Sequence, residues 1–430
     1  ITPGAGAMYC GNCLRDNALV AALRQMGHQV LLVPLYLPLT LDEADQSAGT
    51  PLFFSGINVY LEQHFPLFRR APQWLHRRLA SPRLLRWAAS QAARTRPAAL
   101  GALTLSMLQG EQGNQARELE ALLAWLKTQP RPDVICLSNA LLLGVARRLK
   151  RELKAPLLCT LQGEDTFLDA LPASPRSRCW QTLVERAAEV DLFVAPSRYF
   201  AERMSHRLEL PSQRVRVVYN GIRLEGYPDR SSYGASEPAA GCPTIGFFAR
   251  MCPEKGLDTL VTAFIGLCQR GLIPGLKLRI GGSCGPAERP FVESLRGRLQ
   301  AAGQLGEVEF FPNLGRAAKL AFLQSLTVFS VPAVYGEAFG LYVLEALAAA
   351  VPVVQPRSGA FPELIEATGG GRLCAPGDPQ ALAEALENLL LHPETARALG
   401  QAGQRAVFEK FSAQAMAQAM IAVYQELESD

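Results

Sequence analysis

The sequence has few of the features that mark membrane or secreted proteins. It contains no apolar stretch of the roughly 20 residues that a membrane-spanning helix needs, since runs such as Leu31–Leu39 and Ala346–Val354 are short or broken by proline. Its ten cysteines are scattered from Cys10 to Cys374, without the dense spacing of a disulfide scaffold. It also opens without a signal-peptide pattern. We therefore expect a protein without a spanning segment, in a reducing and cytoplasmic setting.

Acidic residues are missing from one long segment. Between His64 and Gly110 there are eight arginines and no Asp or Glu, although the net charge of the chain is only +4. Three interpretations of the basic, aromatic stretch 65–96 stay open. The first is an amphipathic element in peripheral contact with the inner membrane face, and the second is a surface for an acidic acceptor. The third is an insertion whose arginine stems cover a small core. The modest net charge gives no indication of nucleic-acid binding.

Short apolar segments alternate with helical patterns along most of the chain. At 430 residues the chain exceeds what one hydrophobic core usually serves, which predicts two domains. The alternation predicts parallel strands joined by crossover helices. The predicted strands are Gln29–Leu35, Asp133–Leu137, Pro156–Thr160, Leu192–Ala195, Thr244–Ala249, Lys277–Gly281, Val308–Phe311, Val328–Val331 and Val351–Gln355.

The alternation lapses in a segment rich in Gly, Pro and Ser at 226–243, which we interpret as a linker. This predicts an N-terminal domain over 1–225, with an insertion at about 62–112, and a C-terminal domain over 244–411. Residues 412–430 have helical periodicity and are predicted to form a helix that packs back across the domain boundary. The predicted fold class is α/β, with two Rossmann-like doubly wound parallel-sheet domains facing a central cleft.

The pattern most indicative of chemistry follows the predicted strand Val328–Val331. Gly340 precedes an apolar helix that begins at Leu341, and the N–H groups at such a helix start attract a diphosphate. Glu337 precedes this helix, whereas Glu345 lies about 8 Å along it from Gly340 at about 1.5 Å per residue. Either both carboxylates face solvent, or one holds sugar hydroxyls and the other a ribose. The apolar neighbours of Glu345 favour the second interpretation, because a carboxylate among them needs a partner.

A second pattern follows the predicted strand Thr244–Ala249. Arg250 and Lys255 lie in the loop between this strand and a predicted helix over Leu257–Leu267. A guanidinium fork and a compact ammonium group suit a diphosphate, and they would stabilise the charge that develops as it leaves. Either cation alone would more often be an ordinary surface residue. The position of both at the carboxyl end of a strand favours the functional interpretation.

Three further loops carry weaker signals. Gly6, near the start of the chain, and Gly282, after a predicted strand, would permit close approach to phosphate or sugar, but glycine also simply makes turns. Gln162 lies in the polar loop Thr160–Asp165. That loop either faces a sugar or forms an ordinary turn in which Asp165 caps the next helix.

Cys10 and Cys13 have the spacing at which two thiols share a metal ion or form a redox pair. The pair lacks the two further ligands of a structural zinc site, and the chain has only five histidines. We therefore expect no metal and no cofactor, and we interpret both cysteines as lining the site beside the loop that contains Gly6.

Together these residues resemble the family-four retaining glycosyltransferases. The resemblance covers most of the chain, and it is specific over RMCPEKG at 250–256, SVPAVYGEAFGLYVLEAL at 330–347 and VPVVQPRSGAFPELI at 351–365. It implies the GT-B fold and a nucleoside diphosphate sugar as donor, with UDP favoured and GDP or ADP as alternatives. It also implies a saccharide, lipid or small-molecule acceptor, retention at the anomeric carbon, and no metal.

The resemblance also implies roles for individual residues. Arg250 and Lys255 would bind the diphosphate, Glu337 would face the donor sugar, and Glu345 would bind the ribose. The predicted catalytic residues are Glu337, Arg250, Lys255 and Gln162. The predicted donor-binding residues are Gly6, Gly282, Ala338, Phe339, Gly340, Leu341 and Glu345.

The sequence departs from the family pattern at Gln162, where histidine is common. Glutamine can hydrogen-bond a sugar hydroxyl but carries no charge. The alternative function is therefore a catalytically degenerate homologue that binds nucleotide or saccharide without transfer. A glycoside phosphorylase would need a lysine-bound pyridoxal cofactor or a free-phosphate site, and the sequence identifies neither. No Asp-x-Asp occurs, which agrees with metal-independent binding.

Overall fold

The computed structural model of the protein describes residues 1–4, 11–37, 39, 43–54, 56–65, 68, 97–228 and 242–429. Gly6, Cys10, nearly all of the basic stretch 65–96 and most of the predicted linker 226–243 lie outside the described residues, so the predictions made for them stay predictions. Within the described ranges, no helix is long and apolar enough to cross a membrane.

The chain divides into two compact units. Unit 1 comprises Ile1–Tyr219 with Met416–Asp430, and unit 2 comprises Asn220–Ala415. Each unit contains a parallel β-sheet with α-helices, so the predicted α/β fold class with two parallel-sheet domains is confirmed.

Unit 1 is built on a parallel sheet of four described strands in the order β1-β2-β3-β4. These strands are β1 (Ile135–Leu137), β2 (Leu157–Thr160), β3 (Leu192–Ala195) and β4 (Val215–Val217). The first eight described helices are α1 (Gly11–Gln25), α2 (Gly56–His64), α3 (Pro97–Gln109), α4 (Ala116–Leu126), α5 (Ala146–Leu153), α6 (Glu164–Asp169), α7 (Ala173–Ala187) and α8 (Arg198–Arg207). β2 and β3 are buried along their whole length, which is typical of parallel strands with both faces covered.

The prediction of a strand over Gln29–Leu35 is wrong. Among the residues that the structure describes, the segment makes a single bridge, between Thr2 and Pro34. The Thr2 N–H donates to the Val33 carbonyl and the Leu35 N–H donates to the Thr2 carbonyl, both at 2.9 Å. Pro34 has no N–H and cannot contribute a donor to a longer ladder.

Unit 2 is built on a parallel sheet of six described strands in the order β10-β9-β8-β5-β6-β7. The strands are β5 (Thr244–Phe248), β6 (Lys277–Gly282), β7 (Val308–Pro312), β8 (Val328–Phe329), β9 (Val353–Pro356) and β10 (Gly371–Cys374). The helices are α9 (Leu257–Arg270), α10 (Arg289–Ala301), α11 (Arg316–Gln324), α12 (Leu341–Ala348), α13 (Phe361–Thr368), α14 (Pro379–Leu391) and α15 (Pro393–Lys410).

The strand order of unit 2 has a point of reversal between β5 and β8. The chain starts at β5, runs through β6 to β7 at one edge, and returns to the other side of β5 as β8. Ile245 pairs with Val328 across this point. In such sheets the ligand binds outside the carboxyl ends of the two strands that flank the reversal. The loops that follow β5 and β8 are therefore where a ligand site is expected.

The last described helix is α16 (Ala413–Ser429). From Met416 onward it belongs to unit 1, where Glu426 forms an ion pair with Arg216 of β4. The chain therefore enters unit 2 at Asn220 and returns to unit 1 at Met416.

Candidate functional site

The loop after β5 is held close to the segment that follows β8. The loop forms a 3₁₀ turn at Pro253–Lys255. Gly256 follows this turn and directly precedes α9. Gly256 has a φ of 69°, and a Cβ atom there would lie 1.8 Å from the Pro332 carbonyl oxygen. The Val334 N–H also donates to the Glu254 carbonyl at 3.1 Å. Glycine is therefore required for the approach that brings Lys255 to the other loop.

Gly256→Ala is expected to destabilise unit 2 and to displace Lys255. Alanine in the left-handed conformation costs about 1–2 kcal/mol by itself, and the contact with Pro332 adds to that cost. Gly271→Ala is the matched control, because Gly271 has a φ of 66° but no atom within 4 Å of a Cβ. Thermal unfolding measures both variants. Equal losses of stability would contradict the close approach.

Lys255 and Glu337 meet at the carboxyl ends of β5 and β8. The Lys255 ammonium forms an ion pair with Glu337 Oε2 and also donates to the Tyr335 hydroxyl. The same Oε2 accepts from the Tyr335 hydroxyl at 3.1 Å and from the Tyr342 hydroxyl at 2.8 Å. The ammonium lies 5.0 and 5.2 Å from the centroids of the Tyr335 and Tyr342 rings. The sequence identified the lysine and the carboxylate separately, but it identified neither tyrosine.

The contacts of Glu337 set its protonation state. Burial raises the pKa of its carboxyl, but Lys255 and the two phenol donors outweigh burial and hold that pKa below the ordinary 4.5. Burial and the adjacent carboxylate raise the pKa of Tyr335 and of Tyr342, so both phenols stay protonated. The described hydrogen bonds to the Glu337 carboxylate all end on Oε2. The Oε1 atom is therefore the one that can accept from a ligand.

Tyr342→Phe is expected to raise the pKa of Glu337, because the carboxylate loses one of the hydrogen bonds that favour its charged form. A carboxyl with a lowered folded-state pKa stabilises the fold above its unfolded pKa, and that contribution is lost as the pH falls through the folded value. The loss should therefore begin at higher pH in the variant. Thermal unfolding between about pH 3 and 6 measures the change. Against a Glu337→Gln background the shift should vanish.

Arg250 lies in the same loop as Lys255 but is not part of the ion pair. Its side chain is exposed, and its guanidinium contacts the Cys252 thiol near Glu254. The structure thus places both predicted cations after β5 and brings one of them, Lys255, to Glu337.

The start of α12 is fixed by buried side chains. Gly340 precedes the helix with a φ of 94°, and a Cβ atom there would lie 3.0 Å from the Phe361 ring. Ala338 and Phe339 are buried, so their side chains anchor the segment. The first N–H groups of a helix lack an acceptor one turn back and carry partial positive charge. The Val343 N–H donates to the Gly340 carbonyl at 2.9 Å, which leaves the N–H groups of Leu341 and Tyr342. This segment can therefore contribute backbone donors next to Glu337.

Glu345 has a partner that the sequence does not reveal. Its Oε1 atom accepts from the Lys319 ammonium of α11 at 2.9 Å, and the Lys319 side chain is only 2% exposed. A carboxylate among apolar neighbours does need a partner, as predicted, and the structure supplies a lysine. Its contact with ribose stays a prediction.

Gly282 ends β6 with a φ of 121°, and a Cβ atom there would lie 1.9 Å from the Ala249 carbonyl oxygen. The Asn313 N–H donates to the Gly282 carbonyl at 2.8 Å. The packing of the strand ends therefore requires glycine at this position. Its predicted contact with the donor stays a prediction.

Gln162 lies in unit 1, directly after β2, in a turn organised by Glu164. One Glu164 oxygen accepts from the Gln162 N–H at 2.6 Å and the other accepts from the Ala140 N–H at 2.9 Å. Burial raises the pKa of Glu164 to about 6 against these bonds. Asp165 instead pairs with Arg203, so its interpretation as the capping residue is wrong. The longer side chain of Glu164 reaches back to these backbone N–H groups, whereas the carboxylate of Asp165 pairs with Arg203 of α8.

Among the described residues, no group of three or more His, Cys, Asp or Glu side chains could hold a metal ion. Cys13 is buried in α1, and its predicted neighbour Cys10 lies outside the described ranges. Metal independence stays a prediction.

Comparison with known proteins identifies the class. Two parallel-sheet α/β units with a site at the reversal of unit 2 define a GT-B glycosyltransferase fold. The family model described as glycosyl transferases group 1 matches residues 235–406, and the model for glycosyltransferase family 4 matches residues 102–225. The chain belongs to the family-four glycosyltransferases.

Curated relatives match parts of the chain. D-inositol 3-phosphate glycosyltransferase from Saccharomonospora viridis is 30% identical over 251 residues, which is 56% of each chain. Phosphatidyl-myo-inositol mannosyltransferase from Mycobacterium leprae is 31% identical over 195 residues, 44% of this chain and 48% of the relative. The chain spans about half the length of the curated relatives it matches.

Solved structures resemble the fold over almost the whole chain. Anabaena HepE in complex with UDP-glucose has a TM-score of 0.64 at 18% identity and covers 99% of this chain and 98% of its own. An alpha,alpha-trehalose-phosphate synthase (UDP-forming) from Burkholderia vietnamiensis has a TM-score of 0.65 at 14% identity and covers 100% and 98%. At these identities the likeness shows the GT-B fold.

Proposed function

We propose that the protein is a retaining glycosyltransferase of the cytoplasm that moves a sugar from a nucleoside diphosphate sugar to a saccharide, lipid or small-molecule acceptor without a metal. The observation that carries this proposal is the convergence of Lys255 and Glu337 from the loops after β5 and β8. These strands flank the reversal of the sheet, where nucleotides bind in this class of fold.

The proposed donor contacts follow from the charges at this point. Lys255, Arg250 and the backbone at the start of α12 attract the diphosphate and stabilise it as it leaves. Glu337 Oε1 accepts from sugar hydroxyls, while Oε2 is held by Lys255 and the two phenols. Glu345 accepts from the ribose.

The same geometry makes Glu337 a poor nucleophile. Its pKa is lowered, and three donors occupy one of its two oxygens, so its basicity is reduced. We therefore assign it a role in binding the sugar. In the proposed step the bond between the anomeric carbon and the diphosphate oxygen breaks. A phosphate oxygen of the leaving group accepts the proton of the acceptor hydroxyl, and the acceptor oxygen bonds to the anomeric carbon on the face that the diphosphate leaves.

The proposed nucleoside is uridine, with GDP- and ADP-sugars as alternatives. The fold relative HepE has been captured with UDP and with UDP-glucose, which supports this choice. Gln162, in the loop that follows β2, stays a predicted catalytic residue. Gln162 is also the residue that favours the second candidate, a degenerate homologue that binds without transfer, because it is uncharged where the family commonly has histidine.

The test is a screen of UDP, GDP, ADP and their common sugar conjugates by thermal shift and calorimetry, with and without a chelator. A ligand that binds the native state raises its unfolding temperature by mass action. Selective stabilisation by one nucleoside diphosphate, unaffected by chelator, supports the donor site and a metal-independent mode. Hydrolysis or transfer of the matching sugar then separates an enzyme from a degenerate homologue. No stabilisation by any of these ligands would sink the proposal.

A further inference from the structure

The two carboxylates of the site share an arrangement that no sequence motif describes. Each has one oxygen held by a lysine: Lys255 holds Oε2 of Glu337, and Lys319 holds Oε1 of Glu345 at 2.9 Å. The other oxygen of each accepts none of the hydrogen bonds described for these two side chains. Lys255 belongs to a recognised motif, whereas Lys319 lies on α11, outside all of them.

The Lys319–Glu345 pair is buried asymmetrically. The side chain of Lys319 is 2% exposed, whereas that of Glu345 is 14% exposed. Lysine is almost never fully buried unless it is paired, and a buried ion pair is a weak way to stabilise a fold, because apolar residues of similar volume often do as well. The carboxylate is therefore the member of the pair that a ligand can reach. The ammonium approaches it from the protein interior.

We propose that Lys319 is a positioning residue for the nucleoside end of the donor. It fixes Glu345 through Oε1, so that Oε2 is presented as an acceptor for the ribose hydroxyls. This inference rests on the proposed function, since it assumes that a nucleoside diphosphate binds at α12. A charged acceptor forms stronger hydrogen bonds with hydroxyl donors than a neutral one.

A purely structural role for Lys319 makes a different prediction. If the lysine only joins α11 to α12, its loss changes the binding of every ligand of the site to the same extent. If it acts through Glu345 on ribose, its loss changes only the part of the affinity that depends on the ribose hydroxyls. Removing a hydroxyl from the ligand separates the two roles.

The experiment compares UDP with 2′-deoxy-UDP by calorimetry, with the GDP and ADP pairs measured in the same way. The unsubstituted protein is expected to prefer the ribonucleotide by about tenfold or more, the effect of one charge-assisted hydrogen bond. Lys319→Met is expected to lose most of this preference, while its affinity for the deoxynucleotide stays within about twofold. Glu345→Gln should lose the preference as well, and the double variant should lose no more than either single variant.

Lys277→Met is the matched control, because Lys277 pairs with Glu307 at the surface of the same unit and its side chain is 35% exposed. This variant should keep the full preference. Lys319→Gln, which removes the charge but keeps a polar side chain, replaces Lys319→Met if the latter fails to reach a cooperative thermal transition. It too should lose most of the preference.

Two results would overturn the role of Lys319: an undiminished preference for the ribonucleotide in the Lys319 variants, or an equal weakening of both nucleotides. Neither result contradicts the proposed function, because the unsubstituted protein binds a nucleoside diphosphate in both cases. If that protein binds none of the six nucleotides, the proposed function fails first.

Discussion

Lys255→Ala should weaken binding of the nucleoside diphosphate by about 1.5–3 kcal/mol, the contribution of a charge-assisted hydrogen bond. This corresponds to a Kd about 10- to 150-fold higher. The loss has two sources. The diphosphate loses a cation that lies at the reversal of the sheet, and Glu337 loses the ammonium that compensates its buried charge. An uncompensated carboxylate then repels the phosphates of the ligand. Calorimetric titration with UDP, and with the sugar conjugate that the screen selects, measures the effect.

The control for this variant is Lys277→Ala. Lys277 forms a surface ion pair with Glu307, and such exposed pairs contribute little to stability. Its substitution should leave donor affinity unchanged. Unchanged affinity in Lys255→Ala itself, with a normal thermal transition, would place the diphosphate elsewhere and contradict the site.

Glu337→Gln should separate nucleotide binding from sugar transfer. The amide keeps the shape of the carboxylate but loses its charge, so kcat/KM for transfer should fall by about 10- to 150-fold if one charge-assisted bond to the sugar is lost. Binding of the free nucleoside diphosphate should be equal or tighter, because Lys255 no longer has Glu337 as a competing anion. Initial rates and calorimetry on the same preparation measure the two quantities.

The double variant Lys255→Ala/Glu337→Gln provides the internal check. Residues that share a salt bridge usually couple by about 0.5–3 kcal/mol, so the two substitutions should not be additive for nucleotide binding. Additive effects, or a fall in nucleotide affinity in Glu337→Gln comparable to that in Lys255→Ala, would mean that the pair does not act as one unit toward the ligand.

The positions of the predicted site residues follow from the sequence because apolar runs mark the strands. β5 ends at Phe248 and β8 at Phe329, so the residues after each run could be assigned to loops at one edge of a parallel sheet. What the pattern could not provide is which loops are neighbours. Lys255 and Glu337 are separated by 82 positions, and their contact depends on the return of the chain beside β5.

The residues that the sequence failed to identify have a common physical reason. Tyr342 lies within an apolar helix and Lys319 lies in a helix of alanine and leucine, so both are indistinguishable from residues of ordinary amphipathic helices. Their importance arises from long-range contacts of single atoms. The Tyr342 hydroxyl and the Lys319 ammonium each reach one carboxylate oxygen. The missed strands β4 and β10 are short, contain an arginine and are only partly buried, so they lack the apolar run that marks the other short strands.

The path of the chain between the two units affects the order in which they can fold during synthesis. Unit 2 is one uninterrupted segment from Asn220 to Ala415, whereas unit 1 includes residues on both sides of it. All of unit 2 is therefore synthesised before the part of α16 that belongs to unit 1. Arg216 of β4 is synthesised before unit 2, whereas Glu426, with which it forms an ion pair, is synthesised after it. Unit 1 is thus the second of the two units whose sequence is completed, and a chain truncated after Ala415 contains the whole of unit 2 but only the first three residues of α16.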